Sequence, residues 1–188
     1  MPIIEVRLFK GQPASVKTRL INAMTDAFRM VVPAPSSSLT VILTELERDN
    51  YMRGGAMRRP SEALPEPVGV IMSYLTALQA GDLTAVRGHL SEACAIHLPG
   101  GNVIADPGEL VTWARTRMRV FKVQVLGTDA SPGPRGPVVH LRGRQSGEFP
   151  DGTPFEGIRF STRYEFDARK IARIDMWSDL AEHAAAQD

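Results

Sequence analysis

Between residues 58 and 67 the chain carries three prolines, Pro60, Pro65 and Pro67, and no hydrophobic period, so it reads as a semi-extended linker. That break leaves residues 1–57 on one side and 68–188 on the other. The first segment has room for one strand, one helix and a second strand. Two parallel strands and a helix cannot cover both sheet faces or the sheet edges, so such a unit must bury surface against copies of itself or the rest of the chain. A homo-oligomer is therefore expected.

Residues 2–9 alternate, with Pro2, Ile4, Val6 and Leu8 on one face and Ile3, Glu5, Arg7 and Phe9 on the other. Gly11 ends the run, and Pro13 suits the first turn of a helix. Val16, Leu20, Ala23, Met24, Ala27, Phe28 and Val31 then recur at helical spacing and define one apolar face. Pro33 and Pro35 stop that helix. A second β-rich run covers residues 39–46, and Gly54-Gly55 marks a tight turn after Tyr51.

Beyond the linker a helical stripe of Val70, Ile71, Tyr74, Leu75 and Leu78 ends at Gly81, and Asp82 caps a short helix through Leu90. Residues 94–98 read as a strand. Asp106-Pro107-Gly108-Glu109 supplies an N-cap, a first-turn proline and a capping-box acid for a helix through Arg117. Strand-like runs follow at 120–126, 138–149, 158–166 and 171–178, the first three separated by turns at 131–137 and 150–152. Helices first and an antiparallel meander afterwards predict an α+β domain.

Charge excludes some partners. Residues 1–60 hold nine Lys/Arg against five Asp/Glu, and residues 61–188 hold thirteen against sixteen, for a formal net charge of +1 overall. No dense basic stripe of the kind that tracks nucleic acid is present. No apolar run is long enough to span a bilayer, and the alternating start lacks the apolar core of a signal peptide. A lone Cys94 rules out an intramolecular disulfide framework and a cysteine-based zinc site, so a reducing cytoplasm is the expected compartment. Neither metal nor cofactor is expected.

Pro2 directly after Met1, the strand Ile3–Phe9, Gly11, the amphipathic helix, Ala34-Pro35, Val41-Ile42-Leu43-Thr44-Glu45, and Tyr51 before Gly54-Gly55 form an ordered set. In that set the first segment resembles the 4-oxalocrotonate tautomerase family. The resemblance implies a β-α-β unit in which removal of Met1 frees the amine of Pro2 as catalytic base. An α-amino group titrates near roughly 8, and burial in an apolar pocket lowers it toward neutrality, which suits a general base at working pH. The family also implies a pocket shared between subunits, with an aromatic residue and two arginines binding an acidic substrate. Here the aromatic is Tyr51, but the arginine positions fall on Gln12 and Thr40. Arg53 and Arg7 are the candidate replacements, Arg7 lying on the face read as solvated. The expected substrate is a neutral or monoanionic carbonyl compound.

The helix ending Ala77-Leu78-Gln79-Ala80-Gly81-Asp82, the segment Ile96-His97-Leu98-Pro99-Gly100-Gly101, the turn around Pro150-Asp151-Gly152, and the run from Lys170 to Leu180 carry a second resemblance. They are similar to the nuclear transport factor 2-like (NTF2-like) superfamily in its SnoaL-like polyketide cyclase branch. This implies a cystatin-like cone with a curved antiparallel sheet and a cavity for a ring-containing, polyketide-like ligand. Leu98 occupies the position that carries the base in steroid isomerases of that fold. Tyr74, His97, Trp113 and Asp175 are then the cavity candidates, with His140 and Glu148 as further titratable groups. Strand alternation leaves open which of these face inward.

The leading expectation is a cofactor-independent tautomerase or isomerase of secondary metabolism, with Pro2 as base and the second domain binding or converting the product. One rival places a cyclase or isomerase in the second domain above an oligomeric scaffold. The other is a ligand-binding protein without catalysis.

Overall fold

The structure, a computed structural model, describes residues 2–57 and 63–185. Residues 58–62 of the expected linker, and Met1, lie outside the described residues. The chain divides into two units, residues 1–63 and 64–188.

In the first unit, β1 (Ile3–Phe9) and β2 (Thr40–Leu46) pair in parallel from Ile3↔Thr40 to Phe9↔Leu46, joined through α1 (Ala14–Val31). Single turns of 3-10 helix at Ser36–Ser38 and Arg48–Asn50 flank β2. A hairpin of β3 (Met52–Arg53) and β4 (Ala56–Met57) follows. Its two-residue turn needs positive φ at both positions, and Gly54 (61°) and Gly55 (75°) supply it.

The helix packs differently from its sequence pattern. Of the expected apolar face, Met24 and Phe28 are half-buried, together with Ile21, whereas Val16, Leu20, Ala23, Ala27 and Val31 stay exposed. Two strands offer too narrow a surface to cover a stripe that wide. Pro13 stands just before the helix rather than in its first turn.

The second unit opens with α2 (Pro67–Ala80), capped by the Glu66 side chain accepting from Gly69 N and closed by Gly81 in the left-handed conformation. Pro67, expected in the linker, is thus helical, a position that proline's fixed φ favours. Then come α3 (Leu83–His89), β5 (Leu90–His97), β6 (Val103–Ile104), α4 (Pro107–Arg115), β7 (Val120–Pro132), β8 (Pro137–Glu148), β9 (Pro154–Asp167), β10 (Lys170–Ser178) and α5 (Leu180–Ala185). The expected cap holds, with Asp106 Oδ1 accepting from Gly108 N, but α4 ends two residues short of Arg117.

The six strands run in the order β6-β5-β10-β9-β8-β7. The meander β7 to β10 is antiparallel, yet β5 joins β10 in parallel, so the sheet is mixed rather than wholly antiparallel. Register shifts at Ile171/Arg173, Gln145/Gly147 and Val125/Gly127 mark where strands bulge, and bulges bend a sheet. Ile71, Tyr74 and Ala77 of α2 pack with Ile96, Val139, Leu141, Tyr164 and Ile174 of the sheet to form the main core. A smaller cluster joins Met118, Phe149, Phe155, Ile158 and Leu180. No helix among the described residues is long and apolar enough to cross a membrane.

Candidate functional site

Pro2 stands half-buried at the head of β1. Its carbonyl accepts a hydrogen bond from Thr40 N at 3.1 Å, continuing the β1–β2 ladder by one residue. The ladder therefore holds Pro2 beside Thr40, one of the candidate substrate-binding residues.

The remaining first-unit candidates lie elsewhere in the unit. Gln12 is exposed beyond the far end of β1. Tyr51 meets Phe9, the last residue of β1, edge to face with ring centroids 5.3 Å apart. At about 3.3 Å per residue, the seven-residue strand β1 separates these groups from Pro2 by roughly 20 Å. Arg53 is exposed on β3. One copy of the unit thus unites Pro2 with Thr40 but not with Gln12 or Tyr51.

The lysines flanking Gln12 are occupied. Lys10 Nζ lies 2.7 Å from Glu47, whose hydrogen bond raises the lysine's pKa, and Lys17 Nζ lies 3.0 Å from Glu45, whose carboxyl is held low by that bond.

In the second unit the register aligns His97, Asp175, Arg163, His140 and Asp129 across β5, β10, β9, β8 and β7. This row lies on the sheet face turned away from α2, because Ile96, Ile174, Tyr164 and Val139, their neighbours in sequence, fill the core on the other face. His97 and Asp175 thus lie on the face opposite the one that packs on α2. Asp175 is nonetheless buried. Its Oδ2 accepts from Arg163 Nη1 at 3.0 Å and its Oδ1 from Arg173 Nε at 2.9 Å, while His97 Nδ1 lies 4.0 Å from Oδ1. Arg163 is further bound to Glu165, the contact that does most to raise its pKa. A carboxylate saturated by two guanidiniums holds structure and is poorly placed to take a proton from a substrate. Glu148 lies apart, paired with Arg119.

Sequence reasoning passed over Arg163, Arg173 and Glu165. The hairpin between β9 and β10 carried a signal for them, but the register shift at Ile171/Arg173 obscures the pairing.

On the inner face Tyr74 is a packed core residue. Its ring meets Tyr164 at 6.2 Å and 74°, and burial pushes both phenols above their ordinary range. Trp113 packs against the same core, with the Arg117 guanidinium 4.4 Å from its ring centroid. Gln145 Nε2 donates to Ser178 Oγ at 2.7 Å. A separate cleft of about 290 Å³ is lined by Arg144, Ile158, Arg159, Asp179 and His183 among others, none of them a sequence candidate. No three His, Cys, Asp or Glu side chains converge among the described residues in a way that would hold a metal ion.

Residues 2–59 match the sequence profile of the family described as Tautomerase enzyme. The "Probable tautomerase" of Lactiplantibacillus plantarum is 32% identical over 63 residues, spanning 34% of this chain and 98% of that protein. Among solved structures, an NTF2-like protein of Burkholderia thailandensis superposes with a TM-score of 0.53 at 19% identity, over 66% of this chain and 99% of that one. The crystal structure of TerC co-crystallized with polyporic acid gives a TM-score of 0.52 at 13% identity, over 64% and 98%. At these identities the likeness to the solved structures is one of fold. The second unit has the fold of these proteins.

Proposed function

Because the chain belongs to the tautomerase enzyme family through residues 2–59, we propose that the ring nitrogen of Pro2 is the general base of a tautomerase or isomerase acting on a small enolisable carbonyl compound. The placement of Pro2 carries this reading: it heads β1, half-buried and held to Thr40 by the ladder. The proposal requires that Met1 be removed, so that the nitrogen is an amine with a lone pair. That amine takes a proton from the carbon beside the carbonyl, the C–H electrons pass to oxygen as an enolate, and the ammonium returns the proton to that oxygen, giving the enol; the enol-to-keto direction runs the same transfers in reverse. An apolar setting keeps the resting amine uncharged near neutral pH.

Gln12 and Thr40, at the replaced positions, offer hydrogen bonds rather than charge. A dianionic substrate would be poorly compensated there, so the reading favours an uncharged or monoanionic one. Gln12 and Tyr51 reach Pro2 only from a second copy, which makes the site an interface in a homo-oligomer. The second unit binds or further converts a hydrophobic metabolite in this reading, as its fold is shared with a protein co-crystallized with polyporic acid. The rival reading, catalysis by His97 and Asp175, is weakened by the two arginines that occupy Asp175.

The test compares wild type with Pro2→Ala on enol–keto conversion of phenylpyruvate, with intact mass establishing the absence of Met1. Loss of a general base lowers turnover by about 10²- to 10⁴-fold. Equal turnover overturns the proposal.

A further inference from the structure

We infer that the cleft lined by Arg144 and Arg159 is a binding site for a small, singly charged carboxylate. Its two arginines stand on the sheet face turned away from α2. Arg144 alternates with the buried Gly143 and Gln145 and shares its face with His140, while Arg159 shares its face with Arg163. Both side chains are exposed, so a solute reaches them directly.

Arg144 of β8 and Arg159 of β9 are direct partners in the antiparallel register. Side chains so paired have Cβ atoms about 5 Å apart, and like charges there repel. Each guanidinium is nevertheless anchored at one end. Arg144 Nη1 donates to Gly157 O at 3.3 Å, and Arg159 Nε donates to Asp179 Oδ2 at 2.6 Å. Gly157 makes room for the first contact, because a Cβ there would lie 3.2 Å from Arg144 Nη1. Asp179 is held in turn by its backbone N donating to Arg159 O at 3.1 Å. A guanidinium carries five N–H donors, so each arginine keeps several for a ligand. Arg159 has a carboxylate partner, whereas Arg144 has none among the described residues.

The surroundings set the ligand's charge and size. An anion between the two forks replaces repulsion with charge-assisted hydrogen bonds, and a planar carboxylate matches their geometry. Asp179 and Glu156 line the same cleft, and Glu156 makes no ion pair among the described residues. A second negative charge on the ligand would meet these carboxylates and be repelled, so a dianion is disfavoured. His183, its ring stacked on Phe149 with centroids 6.4 Å apart, lines the cleft as well. At about 290 Å³ the space is at the small end of ligand sites and admits one compact organic acid.

The test titrates the full chain, by calorimetry, with benzoate, its uncharged amide benzamide, and phthalate, which adds a second carboxylate. Benzoate is expected to bind about tenfold tighter than benzamide, the weight of charge-assisted hydrogen bonds at an exposed site. That preference should shrink as added salt screens the arginines. Arg144→Gln and Arg159→Gln are each expected to erase it, and at exposed positions both variants keep the fold. Phthalate should bind more weakly than benzoate to wild type, and Glu156→Gln should narrow that gap. Equal binding of benzoate and benzamide overturns the inference. So does a benzoate preference that survives both arginine variants, which would put the anion at another site. Phthalate binding wild type more tightly than benzoate overturns the assignment to singly charged acids. No binding of benzoate overturns the inference and leaves the reading of Pro2 untouched.

Discussion

His97 and Asp175 face each other across the parallel pair of β5 and β10, with Nδ1 4.0 Å from Oδ1, on the side of the sheet away from α2. The arrangement has the outline of a catalytic dyad, but the partners of Asp175 mark it as the anchor of an arginine network.

Asp175→Asn keeps the shape of the side chain and removes the charge that balances Arg163 and Arg173. Arg163 keeps Glu165 and Arg173 is part exposed, so the loss is that of charge-assisted hydrogen bonds, about 1.5–3 kcal/mol, and the urea midpoint should fall. His97→Gln, outside that network's hydrogen bonds, should change stability by no more than about 0.5 kcal/mol. Neither should alter turnover of phenylpyruvate. A urea midpoint for Asp175→Asn equal to wild type would show that the network is not structural.

High pH should unfold the second unit. Burial raises the Cys94 thiol from 9.0 to about 11 and pushes the phenols of Tyr74 and Tyr164 upward as well. The unfolded chain releases these protons at lower pH than the native one. It then binds fewer protons, and stability falls as pH rises. For Cys94 the loss runs from about pH 9 to about pH 11, at up to about 1.4 kcal/mol per pH unit. Urea midpoints measured between pH 8 and pH 11 check this, and Tyr74→Phe should make the decline shallower above pH 10.

Two glycine substitutions separate backbone strain from collision. Gly54→Ala meets nothing within 4 Å and suffers only from its positive φ, so it should cost about 1 kcal/mol. A Cβ on Gly147 would fall 1.9 Å from the Val120 carbonyl oxygen, which is backbone and cannot swing aside. Gly147→Ala should cost about 3 kcal/mol or more. Thermal melts of both variants would reveal a reversed order if these causes are misassigned.

The exposed stripe on α1 should be an interface with a second copy. Val16 and Leu20 lie on it, and in the proposed site Tyr51 reaches Pro2 only from a second copy. The double variant Val16→Lys, Leu20→Lys should dissociate the assembly in sedimentation and abolish turnover with Pro2 unchanged. An unaltered sedimentation coefficient would move the interface elsewhere.

Local chemistry made much of the fold legible in the chain. The alternation from Ile3 to Phe9, the glycine pair at Gly54-Gly55, the caps at Asp82 and Asp106, and the helical stripe ending at Gly81 each depend on a few adjacent residues. The choice of Pro2 as base came from the family resemblance, not from local chemistry.

Sequence periodicity could not decide which residues meet across strands. Strict alternation from Ile171 would turn Arg173 and Asp175 inward, yet the register shift at Ile171/Arg173 turns Ile174 to the core and Asp175 outward. One extra residue in a strand reverses every face beyond it, and nothing in the local sequence announces it. The parallel docking of β5 on β10, the distance between Pro2 and Tyr51, and the unpartnered indole of Trp113 are likewise decided only when distant segments pack.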